Sequence, residues 1–356
     1  MKILLVILHA ESSRGGAELY TVRLFHKLLE AEHEVFIAAG TFEPSIPLGN
    51  RVPLDHSGHM RLSRYLSFVD SLEAHLNVNN YDVVHAMLPV PRCDLYHPHA
   101  GIETVTWNET SFLQQLTNAR RQTFVDVEQA LLSAPPRPMV LCLSDKARQQ
   151  AASVFPKAAE RLVTLYSGVD DSRFVPVDRP ANPKPVVLFI GQDFERKGLD
   201  VAINAIAQVP DAILRVIGKD SISSYKSQAE KLGIANRVEF LGARDDVPAQ
   251  LAAADALVLP SRQEPFGMVV AEALLMGVPP IVSTNAGASE IVFNGVDGRV
   301  VAGEGASDWA EAIGDVIANR EKYRAEALLR RDELSYDSHL RKLMDVYDRI
   351  VAERVS

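Results

Sequence analysis

Glu264 and Glu272 stand eight residues apart in the stretch EPFGMVVAEALLMGVPP, with Pro265 and Gly267 after the first and a helix-forming run between them. Two chemistries suit that spacing. Carboxylates accept hydrogen bonds from paired hydroxyls, as on a hexose or a ribose diol. A helix opening at Gly267 leaves backbone N–H groups near Met268 and Val269 without internal partners, a place for phosphate. The ordinary alternative is a surface helix with solvated acids. In GQDFERKGLD, Gly191 is followed by Arg196 and Lys197, a guanidinium and an ammonium directly before a helix opening at Gly198. Mobile positive charge and a helix N-terminus both attract a diphosphate, although a solvated surface pair would look the same. In the other half, Gly15 and Gly16 of ESSRGGAELYTVRL open a helix carrying Glu18, and His97 and His99 flank Pro98 in CDLYHPHAGIE. Neighbouring histidines raise the question of a metal, but no acidic or cysteine ligand stands at metal-site spacing. The two histidines are therefore read as suited to hydrogen-bonding a substrate, and no metal or other cofactor is expected. His85, in YDVVHAM, reads either as a strand-end histidine satisfied by backbone or as a functional group.

The elements that must position these residues follow one rhythm. Short β-branched runs (KILLVIL, EVFIAAG, YDVVHAM, PMVLCLS) alternate with amphipathic stretches such as GGAELYTVRLFHKLLEAEH. That is the pattern of βαβ units around a parallel sheet. Pro176, Pro180, Pro183 and Pro185 interrupt it in PVDRPANPKP. It then restarts with PVVLFIG, AILRVIG, VEFLG, ALVLPS and PPIVST as strands. The expected fold is α/β with two doubly wound Rossmann-like domains, residues 1–166 and 167–334, and a terminal helix over 335–356 packing back on the first. In such sheets ligands bind in loops at the carboxyl ends of strands, where these candidates sit.

Composition excludes several classes. A chain of 356 residues with net charge −9 is not a general nucleic-acid binder. Local basic character remains: Arg61 and Arg64 adjoin Leu62, Tyr65, Leu66 and Phe68, and Arg120 and Arg121 stand in LTNARRQTF. Joined on one face, these residues would give weak contact with an anionic membrane; the alternative is a surface helix packing its apolar stripe inward. Cys93 and Cys142 have no metal spacing and are expected as free thiols in a cytoplasmic protein. MKILLVILHA lacks a small-residue cleavage site and reads as a buried first strand. No apolar run reaches the roughly 18 residues of a membrane-spanning helix, so any membrane contact is peripheral. Neither GxGxxG nor a Walker loop is present, which leaves a dehydrogenase or ATPase reading without a motif.

Taken together, GGAE, YDVVHAM, HAG, YSGVDDSRFVP, RKG, VEFLG, AADALVLPS and EPFGMVVAEALLMGVPPIVS span nearly the whole chain. In these motifs it resembles the retaining glycosyltransferases of family 4, whose GT-B fold sets two Rossmann-like domains across a cleft. The resemblance implies that Glu264 and Glu272 are the family's paired acids, and that Arg196 and Lys197 bind the diphosphate of a nucleotide-sugar donor. It also implies donor contacts at Gly15, Gly16, Glu18, Gly191, Gly242, Arg244, Phe266, Gly267, Met268 and Val269. His99, Glu264, Arg196 and Lys197 would then serve a metal-independent transfer. GQDFERKGLD and LTNARRQTFVDVEQALL look most like the lipopolysaccharide core glucosyltransferases, which move glucose from UDP-glucose onto a heptose. That implies a glycan or lipid-linked glycan acceptor at the inner face of the cytoplasmic membrane. Two departures stand out: Gln192 occupies the place of the family's arginine, and Glu195 adds an acid beside the diphosphate. Competing readings are a transferase using another donor such as GDP-mannose on a lipid or small-molecule acceptor, a nucleotide-sugar 2-epimerase, and a non-catalytic sugar-nucleotide binder.

Overall fold

The computed structural model describes residues 1–99, 101–108, 118–177 and 182–355. Pro180 of the proline-rich stretch, and Leu116 and Thr117 at the start of LTNARRQTF, lie outside the described residues. The chain divides into two compact units: Met1–Leu165 together with the residues from Leu340 on, and Tyr166–His339. The second division falls inside the last helix, Tyr336–Val355, five residues beyond the sequence boundary at 334.

In the first unit a parallel sheet contains β1 (Lys2–Val6), β3 (Glu34–Ala39), β5 (Arg51–Pro53), β6 (Val83–Ala86), β7 (Leu95–Tyr96), β8 (Met139–Cys142) and β9 (Leu162–Thr164). Their spatial order is β5-β3-β1-β6-β7-β8-β9, and a small pair, β2 (His9–Ala10) and β4 (Thr41–Phe42), stands apart. The strands are continuous apolar runs because both faces of a parallel sheet are covered: Ile3, Leu4, Leu5 and Val6 are all fully buried. The last helix closes this unit. Its Tyr347 hydroxyl lies 2.8 Å from His85 Nδ1, Arg354 donates to the Tyr81 carbonyl at 2.8 Å and pairs with Asp94, and Glu353 pairs with Arg161.

The helix Arg61–Leu76 fits the second of the two readings given for it, an apolar stripe packed inward. Its buried residues, Tyr65, Phe68, Val69 and Leu72, fall on a single helical stripe. The Tyr65 hydroxyl donates to the Pro89 carbonyl at 2.7 Å. Both aromatic residues proposed for a basic and apolar docking face therefore belong to the core, and Leu66 and Met60 are what remain exposed beside Arg61 and Arg64. Arg120 lies over the Phe124 ring and Arg121 pairs with Glu103 at 3.1 Å. No helix among the described residues is long and apolar enough to cross a membrane.

The second unit holds β10 (Val186–Ile190), β11 (Ile213–Ile217), β12 (Val238–Gly242), β13 (Ala256–Leu259), β14 (Pro280–Ser283) and β15 (Arg299–Val301) in the order β12-β11-β10-β13-β14-β15. Every pairing is parallel. The order reverses between β10 and β13, where Val187 pairs with Ala256 and Leu188 with Leu257. Loops leaving the carboxyl ends of these two strands diverge on either side of the switch point and leave a crevice between them. Phe189, Leu199, Ile203 and Trp309, all fully buried, fill the core beneath.

Arg330 ties the end of this unit together from inside. It is 8% exposed, pairs with the fully buried Asp297 at 2.7 Å, and donates to the Ile291 carbonyl at 2.6 Å. Burial pushes the Asp297 carboxyl up even though Arg330 opposes the rise. Replacing Arg330 by Met leaves that carboxylate buried without its cation, an error typically worth about 3–5 kcal/mol. Without Arg330 the folded-state pKa of Asp297 rises further above its unfolded value, so stability in the variant is lost as pH rises through it. Urea denaturation of Arg330→Met is expected to show a loss of about 3 kcal/mol at pH 7.5 and a smaller loss at pH 5. An equal loss at both pH values would show that Asp297 is not the group left stranded.

Candidate functional site

The two loops at the switch point meet through one carboxylate. After β10 the chain turns tightly, with the Lys197 amide donating to the Asp193 carbonyl at 3.0 Å and that of Gly198 to Glu195 at 3.1 Å. Gly191 leaves the room this turn needs, since a Cβ there would lie 2.2 Å from Lys197 Cδ. The lysine stem crosses over that glycine, and its Nζ donates to Glu264 Oε2 at 2.6 Å. Arg196 Nη1 reaches the same oxygen at 3.2 Å and the Gln263 carbonyl at 2.7 Å, while its Nε pairs with Asp193 Oδ2 at 2.9 Å. Lys197 and Glu264 are each 12% exposed, so their charges are little screened by solvent. Two cations are thus held against two carboxylates. The arrangement is neutral within itself, and its positive pair becomes available to any anion that displaces Glu264.

The loop after β13 is fixed by backbone contacts. Gly287 donates to the Glu264 carbonyl at 3.0 Å and Ala288 to that of Phe266 at 2.7 Å. Phe266, read from sequence as a donor contact, is 3% exposed and stacks on Tyr166 with ring centroids 6.1 Å apart, so its side chain props the loop from beneath. The Tyr166 hydroxyl in turn donates to Glu290 at 3.1 Å. Gly267 adopts φ +100°, a left-handed conformation costly for other residues, and starts the helix Met268–Leu275 without a side-chain cap. Met268 is 37% exposed, Val269 is buried, and Glu272 follows one turn later, partly exposed. This uncapped start is suited to an anion.

Sequence reading missed Arg262. Its guanidinium grips Asp200 at two points, 2.9 and 2.8 Å, reaches Glu304 at 2.7 Å and donates to the Glu195 carbonyl at 2.5 Å. The Arg262 amide also donates to the Arg196 carbonyl at 2.8 Å. Arg262 therefore clamps one loop to the other. Burial pushes the Asp200 carboxyl up, but the Arg262 hydrogen bonds prevail and hold it low. Its residue type and its place in SRQEPFG were visible, but a partner 62 positions away was not.

Beside these loops lies a cleft of about 520 Å³ at the ends of β11 and β12, lined by Phe194, Gly218, Asp220, Ile222, Phe240 and Gly242. Asp220 accepts from the Phe194 amide at 2.8 Å, joining the cleft to the Lys197 loop. Gly242 forms its rim at φ +68°. Arg244 is exposed and engaged at two points by Asp246, whose carboxyl it holds well below the usual range. Its guanidinium is thus committed to a local pair in this structure.

In the first unit Gly15 precedes the helix Gly16–Glu30, and a Cβ at Gly15 would lie 2.9 Å from Glu18 Oε2. Glu18 thus leans over the helix start. His99 lies against Tyr20 and His97, with ring centroids 4.5 and 4.1 Å away, and His97 stacks on His85 at 5.5 Å. The sequence reading of His85 left two roles open. The structure buries it in β6, hydrogen-bonded to Tyr347. Among the described residues no group of three or more His, Cys, Asp or Glu is disposed to hold a metal ion.

Residues 14–173 match the family described as Glycosyltransferase Family 4, and residues 172–327 match Glycosyl transferases group 1. The chain is similar to the lipopolysaccharide glucosyltransferase WaaG of Escherichia coli (strain K12), with 27% identity over 311 residues that cover 81% of this chain and 82% of that one. The crystal structure of WaaG, described as a glycosyltransferase involved in lipopolysaccharide biosynthesis, superposes with a TM-score of 0.80 at 24% identity, covering 97% of this chain and 99% of that one. Anabaena HepE in complex with UDP-glucose gives 0.72 at 21% identity, covering 98% and 100%. The structural likenesses establish the GT-B fold, and with the two family matches they lead to one conclusion: this chain belongs to the family-4 glycosyltransferases.

Proposed function

We propose that the protein transfers glucose from UDP-glucose to a glycan acceptor with retention of anomeric configuration, and that its acceptor is the heptose region of a lipopolysaccharide core. The observation that carries this reading is the convergence of Lys197 and Arg196 on Glu264 at the switch point. An incoming diphosphate takes the two cations and the open amides at Met268 and Val269, while Glu264 turns to hydroxyls of the sugar. Glu272 accepts from the ribose diol, and the cleft rimmed by Gly242 receives the base. The names of the Escherichia coli relative and of the Anabaena complex support glucose and UDP.

In the transfer step the bond between the anomeric carbon and the diphosphate oxygen breaks as the acceptor hydroxyl attacks the same face. The hydroxyl proton passes to the departing phosphate oxygen. Lys197, Arg196 and the helix amides stabilise the charge that grows on UDP, the work that a metal ion does elsewhere. His99 hydrogen-bonds the transferred hexose and orients it. A lipid-linked acceptor would bring Arg61 and Arg64 near anionic headgroups; with Tyr65 and Phe68 turned inward, that attraction is electrostatic, about 1 kcal/mol per basic residue, and screened by salt.

Screening UDP-, GDP- and ADP-sugars for acceptor-dependent release of the nucleotide tests the reaction. Release from UDP-glucose only when a heptose-bearing glycan is present, undiminished by EDTA, is the expected result. Release without acceptor together with a 2-epimeric product would make the protein an epimerase, and binding without turnover would make it a binder.

Within the site, Lys197→Ala is expected to weaken UDP by about 1.5–3 kcal/mol, roughly 10- to 150-fold by calorimetry, in a variant that keeps the circular dichroism of the wild type. Glu272→Gln is expected to cost UDP about 1 kcal/mol, the scale of one hydrogen-bonded contact. If UDP binds Lys197→Ala as tightly as the wild type, the diphosphate lies elsewhere.

A further inference from the structure

Glu128, in the helix Ala119–Ser133, is a fully buried carboxylate in the first unit whose polar work lies entirely around the histidine loop. Its Oε1 accepts from the Tyr96 hydroxyl at 2.7 Å and the Glu103 amide at 3.0 Å. Its Oε2 accepts from the Thr104 amide at 2.7 Å and the Thr104 hydroxyl at 2.8 Å. Tyr96 immediately precedes His97, and Glu103 and Thr104 open the helix that follows His99. One side chain therefore holds both ends of the segment that carries the two histidines.

We propose that Glu128 is a positioning residue for His99, fixing the loop so that the imidazole is presented in one orientation. This rests on the role given to His99 above. Four donors meet two oxygens, and only an ionised carboxylate accepts from all four. Burial pushes the Glu128 carboxyl up, the hydrogen bonds from Thr104, Tyr96 and Glu103 oppose that rise, and none of these four donors is a cation. The same loop is held from its other side, since the His97 amide donates to the Ala86 carbonyl at 2.8 Å and Gly101 closes a turn onto the Pro98 carbonyl at 3.0 Å. Its rings are seated as well, with His97 buried between His85 and Tyr20 and His99 lying against Tyr20. With the strand side and the rings already fixed, the flanks of the loop are left to Glu128. An amide at position 128 would turn an NH₂ toward two donors and release one flank.

The test uses the full-length chain as Glu128→Gln and, in case that variant folds poorly, Tyr96→Phe, which removes one of the four donors. Imidazole NMR signals of His97 and His99 are expected to shift in both variants, while those of His26 and His339, which lie outside this loop, stay in place. UDP-glucose turnover is expected to fall about tenfold in Glu128→Gln, with the donor KM and UDP affinity within twofold of wild type. In a His99→Ala background the same substitution should cost nothing further, because the two residues act as one unit. Unmoved ring signals, or losses that multiply in the double variant, would overturn the assignment of Glu128. A wild-type chain that turns over no sugar nucleotide while the ring signals still shift would overturn the transfer reading alone.

Discussion

The contact between Lys197 and Glu264 is the constraint on which the second unit's working end depends. A lysine and a glutamate from loops on opposite sides of a sheet's switch point meet at 2.6 Å where both are nearly buried. Such a pair is expensive to desolvate, and it persists because Arg196 shares the same oxygen and Asp193 steadies Arg196. The surrounding features serve this meeting. Gly191 clears the lysine's path, and Gly198 lets the chain pass close to Pro260, where a Cβ would lie 2.2 Å from the carbonyl oxygen. Arg262 clamps the loops, and Phe266 sets the height of Glu264 from below.

The free protein thus stores a positive site in neutral form. A diphosphate carries more charge and more acceptor oxygens than one carboxylate, so it competes effectively for the two cations. On the proposed reading the displaced Glu264 then lies beside the sugar, where a carboxylate is useful as an acceptor. On that reading binding and sugar recognition are one exchange of partners, and the preorganised cations would need little rearrangement as charge develops on the leaving group.

Much of this was legible in the sequence, for reasons that can be named. The strands of both sheets are continuous apolar runs bounded by turn residues, and EPFG followed by a helical run marked the helix start that the structure builds with Gly267. Spacing along the chain could not show side-chain direction. Spacing left open whether Tyr65 and Phe68 share a face with Arg61 and Arg64 or pack inward, and the helical stripe through Val69 and Leu72 turns both aromatics inward. The resemblance implied a donor contact at Phe266, while the stacking of its ring on Tyr166 depends on a residue a hundred positions earlier that spacing could not show. Arg262 and Glu128 both lie in stretches that were quoted, SRQEPFG and LTNARRQTFVDVEQALL, but their roles escaped notice because their partners are distant in sequence.

The displacement of Glu264 can be measured without an acceptor. UDP carries no transferred hexose for Glu264 to recognise, so in a UDP titration that carboxylate acts only as a competitor for Lys197 and Arg196. Calorimetric binding of UDP to Glu264→Gln should therefore be tighter than to the wild type by on the order of 1 kcal/mol, about fivefold, the scale of one charge contact released. Equal or weaker binding of UDP to Glu264→Gln would contradict the central claim that Glu264 holds the diphosphate's cations until the donor arrives.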